Sequence, residues 1–434
     1  MSNMPQRSPV DFIPFSRTYV DRETGAESGL ITDLALLRGR VTLNHLYDGS
    51  TASIMLGNTI FNEITITTPV IPESIQNLIE FGSPLATDDA SKIANAIASV
   101  IERRWDPEQF HLVMHSSGYD SRIISKTIAN LRDKHGESWL GKVLFLCWEP
   151  EGPEFKAIMS FEGWRKEQYH ICNEGAQPDE YCAGALDFDS CWKWTNDAQP
   201  PIWIAEPTIE QLRESGIITK PLTETQFIAG GAGHTIFQSL YPPERLTELF
   251  YYSRWGARSR VIPYSERIVP FLSYDVLRLI NLHRRDNLEG IYHESIAKNR
   301  VYSDILRPFK PILRWVCRKR WKITDLLRLS QIDASKTRLE VVSYLSPGLL
   351  RLRKGVSEGP TTPHRQLSER LRKKCLQDFT NSWYYKNVTL PHFPNYDLDM
   401  PKNIWIDDWW GVYAKASICE YLVKNGVKII HATG

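Results

Sequence analysis

The chain has 434 residues, 42% hydrophobic and 24% charged, enough to bury a large core without disulfide or metal staples and sized for roughly two to three domains. Lys and Arg number 52 against 51 Asp and Glu, a net charge of +1, which excludes bulk electrostatic capture of nucleic acid as the main role of the whole chain. Fourteen Trp and eighteen Tyr exclude a disordered chain, because aromatics supply buried area.

Residues 1–90 read as strand-rich. Leu30-Ile31-Thr32, Arg40-Val41-Thr42-Leu43 and Ile64-Thr65-Ile66-Thr67 carry β-branched residues between turn signals such as Asp48-Gly49-Ser50. From Asp88 to Arg104 the apolar spacing Ile93, Ile97, Val100, Ile101 predicts a helix, with Pro107 beyond its end. His111–His115 predicts a short strand, and the polar loop Ser116-Ser117-Gly118-Tyr119-Asp120-Ser121 follows. Arg122–Leu131 then predicts a helix with Ile123, Ile124, Ile128 and Leu131 facing inward. Val143–Trp148 predicts a second strand and Glu154–Phe161 another helix. Strand, helix, strand, helix is the signature of a parallel α/β sheet. Residues 173–201 read as loop-rich. Phe227-Ile228-Ala229 predicts a strand opening onto Gly230-Gly231-Ala232-Gly233-His234. Beyond about Asp275 the chain reads as mostly helical.

The seven cysteines (Cys147, Cys172, Cys182, Cys191, Cys317, Cys375 and Cys419) are odd in number and contain no C-x-x-C pair. Neither a disulfide framework nor a zinc knuckle fits, so a cytoplasmic location is expected. No signal peptide and no apolar run of membrane-spanning length is read. His111 and His115 lie four apart but have no third ligand nearby, so packing or hydrogen bonding is expected of them. His293-Glu294 begins like a zinc-protease motif, but Ala297 stands where its second His belongs. The basic stretch from Arg307 to Lys322, with Trp315 and Trp321, reads as a solvated helix face. Trp405–Trp410 reads as a helix packing on the core.

Ser116–Ser121 carries the chemistry. Small residues between a buried strand and a helix start let backbone N–H groups approach an anion, and the helix dipole favours one there. The hydroxyls of Ser116, Ser117 and Ser121 add donors, and Asp120 is a hard oxygen ligand for a phosphate-bound Mg²⁺. This is not the Walker loop. The string resembles the S-G-G-x-D-S pyrophosphate loop of the N-type ATP pyrophosphatases. Three further stretches, in the same order, resemble the synthase domain of the asparagine synthetase family. Glu154 with Ala157 is similar to its E-x-x-x-A helix start. Gly230–Phe237 is similar to its G-x-G-G-D-E-x-F loop, and Ser265–Ser273 to its E-x-R-V-P-F-L-D segment.

The resemblance covers roughly residues 90–320. It implies an adenine-nucleotide α-hydrolase (PP-loop) fold, with a parallel five-stranded sheet and a helical C-terminal part. The domain organisation expected on this basis is a β-rich N-terminal segment over 1–90, a possible truncated glutaminase remnant. An ATP-binding domain over 91–325 and a helical extension over 326–434 follow. The activity implied is an ATP- and Mg²⁺-dependent ligase that adenylates a carboxylate, releases pyrophosphate and passes the acyl group to ammonia or an amine. Ser116, Ser117, Gly118 and Ser121 would hold pyrophosphate, Asp120 and His234 the metal, and backbone at Leu146 adenine. Gly230, Gly231 and Gly233 would leave space for the activated carboxylate. Glu266 and Lys310 match by position the family's catalytic residues, with Lys298 second for the lysine.

Several positions depart from the family pattern. Ser117 replaces a glycine. His234 stands where the family has an Mg²⁺-holding Asp, and imidazole is a poor Mg²⁺ ligand. Thr235, Ile268 and Ser273 replace an acid, an Arg and an Asp. Ser2 stands in place of the nucleophilic Cys of glutamine-hydrolysing members, so ammonia is expected from solution, a partner glutaminase or a substrate amine. The expected substrate is a small-molecule or peptide carboxylate in polysaccharide or natural-product biosynthesis, with no nucleic acid as partner. An intramolecular lactam-forming cyclase is a variant of this reading. A nucleotide-binding pseudoenzyme is the rival.

Overall fold

The computed structural model describes residues 18–44, 58–67, 72–148, 151–172, 186–194, 205–230, 233–238, 266–282, 336–353, 368–392 and 409–431. Along the chain β1 (Thr18–Asp21), β2 (Glu27–Ser28), α1 (Ile31–Arg38), β3 (Arg40–Thr42) and β4 (Ile64–Thr67) come first. β1 pairs antiparallel with β2 and β4. The strand expected at Leu30–Thr32 is instead the start of α1. Ile31, Leu34 and Ala35 are buried at helical spacing, and Gly39, at φ 66°, ends the helix with its N–H on the carbonyls of Ala35 and Leu36. A buried face at period 3.6 here outweighs the β propensity of two residues. A further helix, α2 (Glu73–Phe81), buries Ile75, Leu78 and Ile79 inside the segment read as strand-rich.

The next elements are α3 (Ala90–Arg104), β5 (Phe110–Met114), α4 (Tyr119–His135), β6 (Lys142–Trp148), α5 (Gly152–Phe161) and β7 (Tyr169–Cys172). The Asp89 side chain caps α3 by accepting from Ser91 N–H at 3.0 Å. After α6 (Phe188–Trp194), α7 (Ala205–Glu214), β8 (Thr225–Ala229), α8 (Gly233–Gln238) and β9 (Glu266–Ile268), the described elements are helical until the last strand. They include α9 (Tyr274–Leu277), α10 (Lys336–Leu345), α11 (Glu369–Asn381) and α12 (Trp409–Lys424), followed by β10 (Lys428–Ile430). α6 lies within the stretch read as loop-rich. The Trp405–Trp410 reading and the basic stretch 307–322 fall on residues outside the description, apart from the backbone of Trp409 and Trp410, which opens α12.

The parallel α/β expectation holds. Five strands pair in the order β7-β6-β5-β8-β9, and every pair is parallel. Numbered by appearance the order is 3-2-1-4-5, a doubly wound sheet that starts in its middle and reverses direction between β5 and β8. β5 is buried on both sides, as a central parallel strand must be. Its Val113 joins a core with α2, α3, α4, α5 and α9, while Phe110 and Leu112 face Ile209 and Leu212 of α7 on the other side.

The cores divide the chain differently from the three segments expected. Val341, Val342 and Leu349 belong to the sheet's core, so residues 336–353 pack with the sheet instead of extending from it. A second core joins Tyr19, Leu34, Val41 and Ile64 to Cys191 of α6 and to Cys375, Phe379, Tyr413 and Leu422 of α11 and α12. β3 pairs in parallel with β10, Val41 opposite Ile429, so the two ends of the described chain close one unit. The cysteines among the described residues are all buried and free. No helix among the described residues is long and apolar enough to cross a membrane.

Candidate functional site

Sheet register assembles the site. Met114, the last residue of β5, lies opposite both Leu146 of β6 and Ala229 of β8. The residues that follow, Ser116 and Gly230, therefore leave the sheet side by side at its carboxyl edge. This is the switch point, where open α/β sheets bind their ligands. His115 N–H extends the ladder by donating to the Leu146 carbonyl at 2.7 Å, so Leu146 sits beside the loop with its side chain in the core.

The loop turns on its own hydroxyls. Ser116 N–H donates to Ser121 Oγ at 3.0 Å, and the two seryl oxygens lie 3.0 Å apart. Gly118 N–H donates to Ser116 Oγ at 3.2 Å. Gly118 is the N-cap of α4, whose first turn holds Tyr119, Asp120 and Ser121. An added Cβ at Gly118 would stand 3.1 Å from Ser116 Oγ, so a larger residue there would press on the hydroxyl that the Gly118 N–H bonds.

The two glycine-bearing stretches meet at Asp120. A Cβ on Gly230 would lie 3.3 Å from the Asp120 backbone carbonyl. One on Gly233 would lie 2.8 Å from Asp120 Cγ and 3.0 Å from a ring carbon of Phe271. Only glycine lets the second loop pack on the carboxylate. Ser116, Ser117, Gly118, Asp120, Ser121, Gly230 and Gly233 are thus brought together around one helix start, with Leu146 adjacent. His234 lies in α8 and Glu266 opens β9, but their side chains fall outside the description, as do Gly231, Lys298 and Lys310 altogether.

Several residues at this site were not singled out in the sequence. Ser117 donates both its N–H (2.5 Å) and its hydroxyl (2.7 Å) to one oxygen of Glu151, the residue preceding α5. A carboxylate therefore lies against the loop's donors. Arg122 is fully buried. Its Nε donates to the Ser117 carbonyl at 3.0 Å, and its terminal nitrogens donate to the carbonyls of Leu349, Leu352 and Arg353. One guanidinium thereby ties the loop to the turn after α10, and burial lowers its pKa. Arg338 of α10, with a side chain 5% exposed, reaches the Asp120 carboxylate at 3.2 and 3.4 Å. Both guanidinium carbons also lie near the Tyr119 ring, at 5.3 Å for Arg122 and 5.8 Å for Arg338. Glu154, the residue matched to the family's helix start, pairs with Arg353 at 3.0 Å.

Behind the loop lies a buried polar chain. His115 Nε2 is 3.1 Å from Ser125 Oγ, which donates to Glu162 at 2.9 Å; Trp164 donates to the other Glu162 oxygen at 2.9 Å. Burial pushes Glu162 up to about 7, against the hydrogen bonds from Trp164 and Ser125. Burial, with a smaller push from Arg122, takes His115 down to about 3. His111 stacks on Trp105 with ring centres 3.7 Å apart, and burial lowers it to about 4. Both histidines pack, as their spacing without a third ligand suggested. Among the described residues no three His, Cys, Asp or Glu side chains converge as a metal cluster.

No protein-family model matches the chain, and no curated protein matches it. The likeness to the asparagine synthetase family therefore rests on the four ordered sequence stretches alone.

Proposed function

We propose that the chain is an ATP-dependent, amide-forming ligase on a sheet of the adenine-nucleotide α-hydrolase type. The phosphate chain would lie on the 116–121 loop. A carboxylate oxygen attacks the α-phosphorus, the α–β bridge breaks, and pyrophosphate leaves with the electron pair. Ammonia or an amine then attacks the acyl-adenylate carbonyl, loses a proton and expels AMP. The N–H and hydroxyl of Ser117, once released from Glu151, with the hydroxyls of Ser116 and Ser121 at the turn that Gly118 closes, would hold the leaving pyrophosphate, where donors matter most because charge develops there. Gly230 and Gly233 would keep the opposite wall close to backbone. The observation that carries the reading is that the Ser116–Ser121 loop leaves the central strand at the switch point with the second glycine-bearing loop packed on Asp120.

Mg²⁺ does not suit Asp120 as this site is built. A magnesium ion wants carboxylate oxygens free to coordinate it, and those of Asp120 face the Arg338 guanidinium. No step is therefore routed through the metal. The same ion pair favours a second reading, a protein that binds the nucleotide without turning it over.

The test is isotope exchange between pyrophosphate and ATP with a panel of small carboxylic acids, with and without divalent metal. Acid-dependent exchange supports the ligase. ATP binding without exchange for any acid supports the second reading, and failure to bind ATP refutes both.

A further inference from the structure

We infer that Arg338 is the resident cation of this site and that it, in place of a divalent metal, neutralises the phosphates bound there. The inference rests on the reading of the loop as a phosphate cradle. Arg338 comes from α10, outside the stretch of family resemblance. It reaches the loop because α10 packs with the sheet's core through Val341 and Val342. Its guanidinium meets Asp120 Oδ1 at 3.2 Å, lies 5.8 Å from the Tyr119 ring centre, and is almost wholly withdrawn from water. A planar guanidinium with several donors suits phosphate oxygens as well as it suits a carboxylate. In this arrangement the Asp120 carboxylate is one of the groups that balance the Arg338 charge, since a buried charge without a counter-charge is costly. A phosphate arriving at the loop competes with Asp120 for the same donors.

A metal-ligand role for Asp120 and a charge-holding role predict opposite effects of one substitution. If Asp120 holds Mg²⁺, D120N abolishes binding of the Mg²⁺ complex of ATP. If Asp120 only holds Arg338, D120N removes a competing anion and ATP binding tightens, by roughly tenfold for one charged hydrogen-bonding contact. The experiment is calorimetry with ATP and the full-length chain, in excess EDTA and in excess Mg²⁺, for wild type, D120N, R338K and R338Q. Expected are near-equal affinities in EDTA and Mg²⁺, tighter binding by D120N, and loss of about tenfold or more in R338Q, with R338K between. Binding that requires Mg²⁺, or that D120N abolishes, overturns the inference and leaves the phosphate-cradle reading standing. Absence of ATP binding in every condition overturns the cradle reading, and the inference with it. Should R338Q fail to fold, the direction of the D120N change still decides, since that variant retains Arg338.

Discussion

Glu162→Gln isolates the cost of the buried carboxylate behind the loop. Glu162 is 4% exposed and is raised from 4.5 to about 7, chiefly by burial. An acid raised in the folded state binds its proton more tightly there than in the unfolded chain. Its contribution to stability is therefore full below about pH 4.5 and is lost as pH rises through about 7. The shift is worth about 3 kcal/mol at about 1.36 kcal/mol per pH unit. His115 and His111 act oppositely. Both stay neutral when folded, so their contributions are full above about pH 6.5 and are lost as pH falls towards about 3 and about 4. The wild-type curve alone mixes all three groups. Subtracting the E162Q curve leaves Glu162, provided the amide keeps one bond to Trp164 and one to Ser125. The measurement is urea unfolding from pH 4.5 to 8, with hydrogen exchange of peptides within 110–164 reporting the sheet unit. Wild type relative to E162Q should lose about 3 kcal/mol between pH 4.5 and 7 and be level above. A difference flat to within about 0.5 kcal/mol would refute the account of Glu162 as a carboxylate that folding keeps protonated.

Three other expectations follow from the same geometry. E151Q removes the carboxylate against the Ser117 donors, so ATP should bind several-fold more tightly by calorimetry; weaker binding would make Glu151 part of the ligand site. R122M leaves the carbonyls of Ser117, Leu349, Leu352 and Arg353 without their buried donor, so thermal unfolding should show a loss of about 3 kcal/mol or more. G141A places a Cβ 2.4 Å from the Pro107 carbonyl at φ +63° and should cost at least about 2 kcal/mol in denaturant unfolding, because backbone must move to admit it.

Three of the five sheet strands, β5, β6 and β8, were legible because each carries a short apolar run next to a turn; β7 (Tyr169–Cys172) and β9 (Glu266–Ile268) carry no such run and were not read as strands. The loop was legible because its residue types, Ser and Gly before a helix start, follow from local geometry. What the sequence concealed depends on distant pairing. Arg338 and Asp120 are 218 residues apart, and nothing near Arg338 distinguishes it from the other basic residues of the C-terminal third. Arg122 falls in a helix whose apolar spacing is satisfied without it, so its burial is invisible until the turn at 349–353 is in place. The N-terminal segment misled for a related reason. Its strands bury their faces against helices more than 300 residues later, and β3 takes β10 as its partner. It is one half of a core, which a reading segment by segment presents as a separate strand-rich piece.

The loop's donors and its carboxylate each draw a partner of opposite charge from elsewhere in the chain. The start of α4 gathers N–H groups and hydroxyls that attract an anion, and Glu151 supplies one to Ser117. Asp120, in the first turn of the same helix, carries the opposite problem: a partly buried carboxylate needs a cation, and Arg338 supplies one. Each partner is borrowed from another element, α5 for Glu151 and α10 for Arg338, and each is an ion that a phosphate chain would displace or recruit. On the proposed reading, phosphate binding would be an exchange: Glu151 would leave the Ser117 donors, and Arg338 would share with phosphate the charge it now directs at Asp120. Affinity then depends on the difference between two similar sets of bonds, so removing either internal anion strengthens binding and removing the internal cation weakens it. The opposing signs expected for E151Q and D120N on one side, and R338Q on the other, are the signature of that exchange, and a metal-centred site would give D120N the reverse sign.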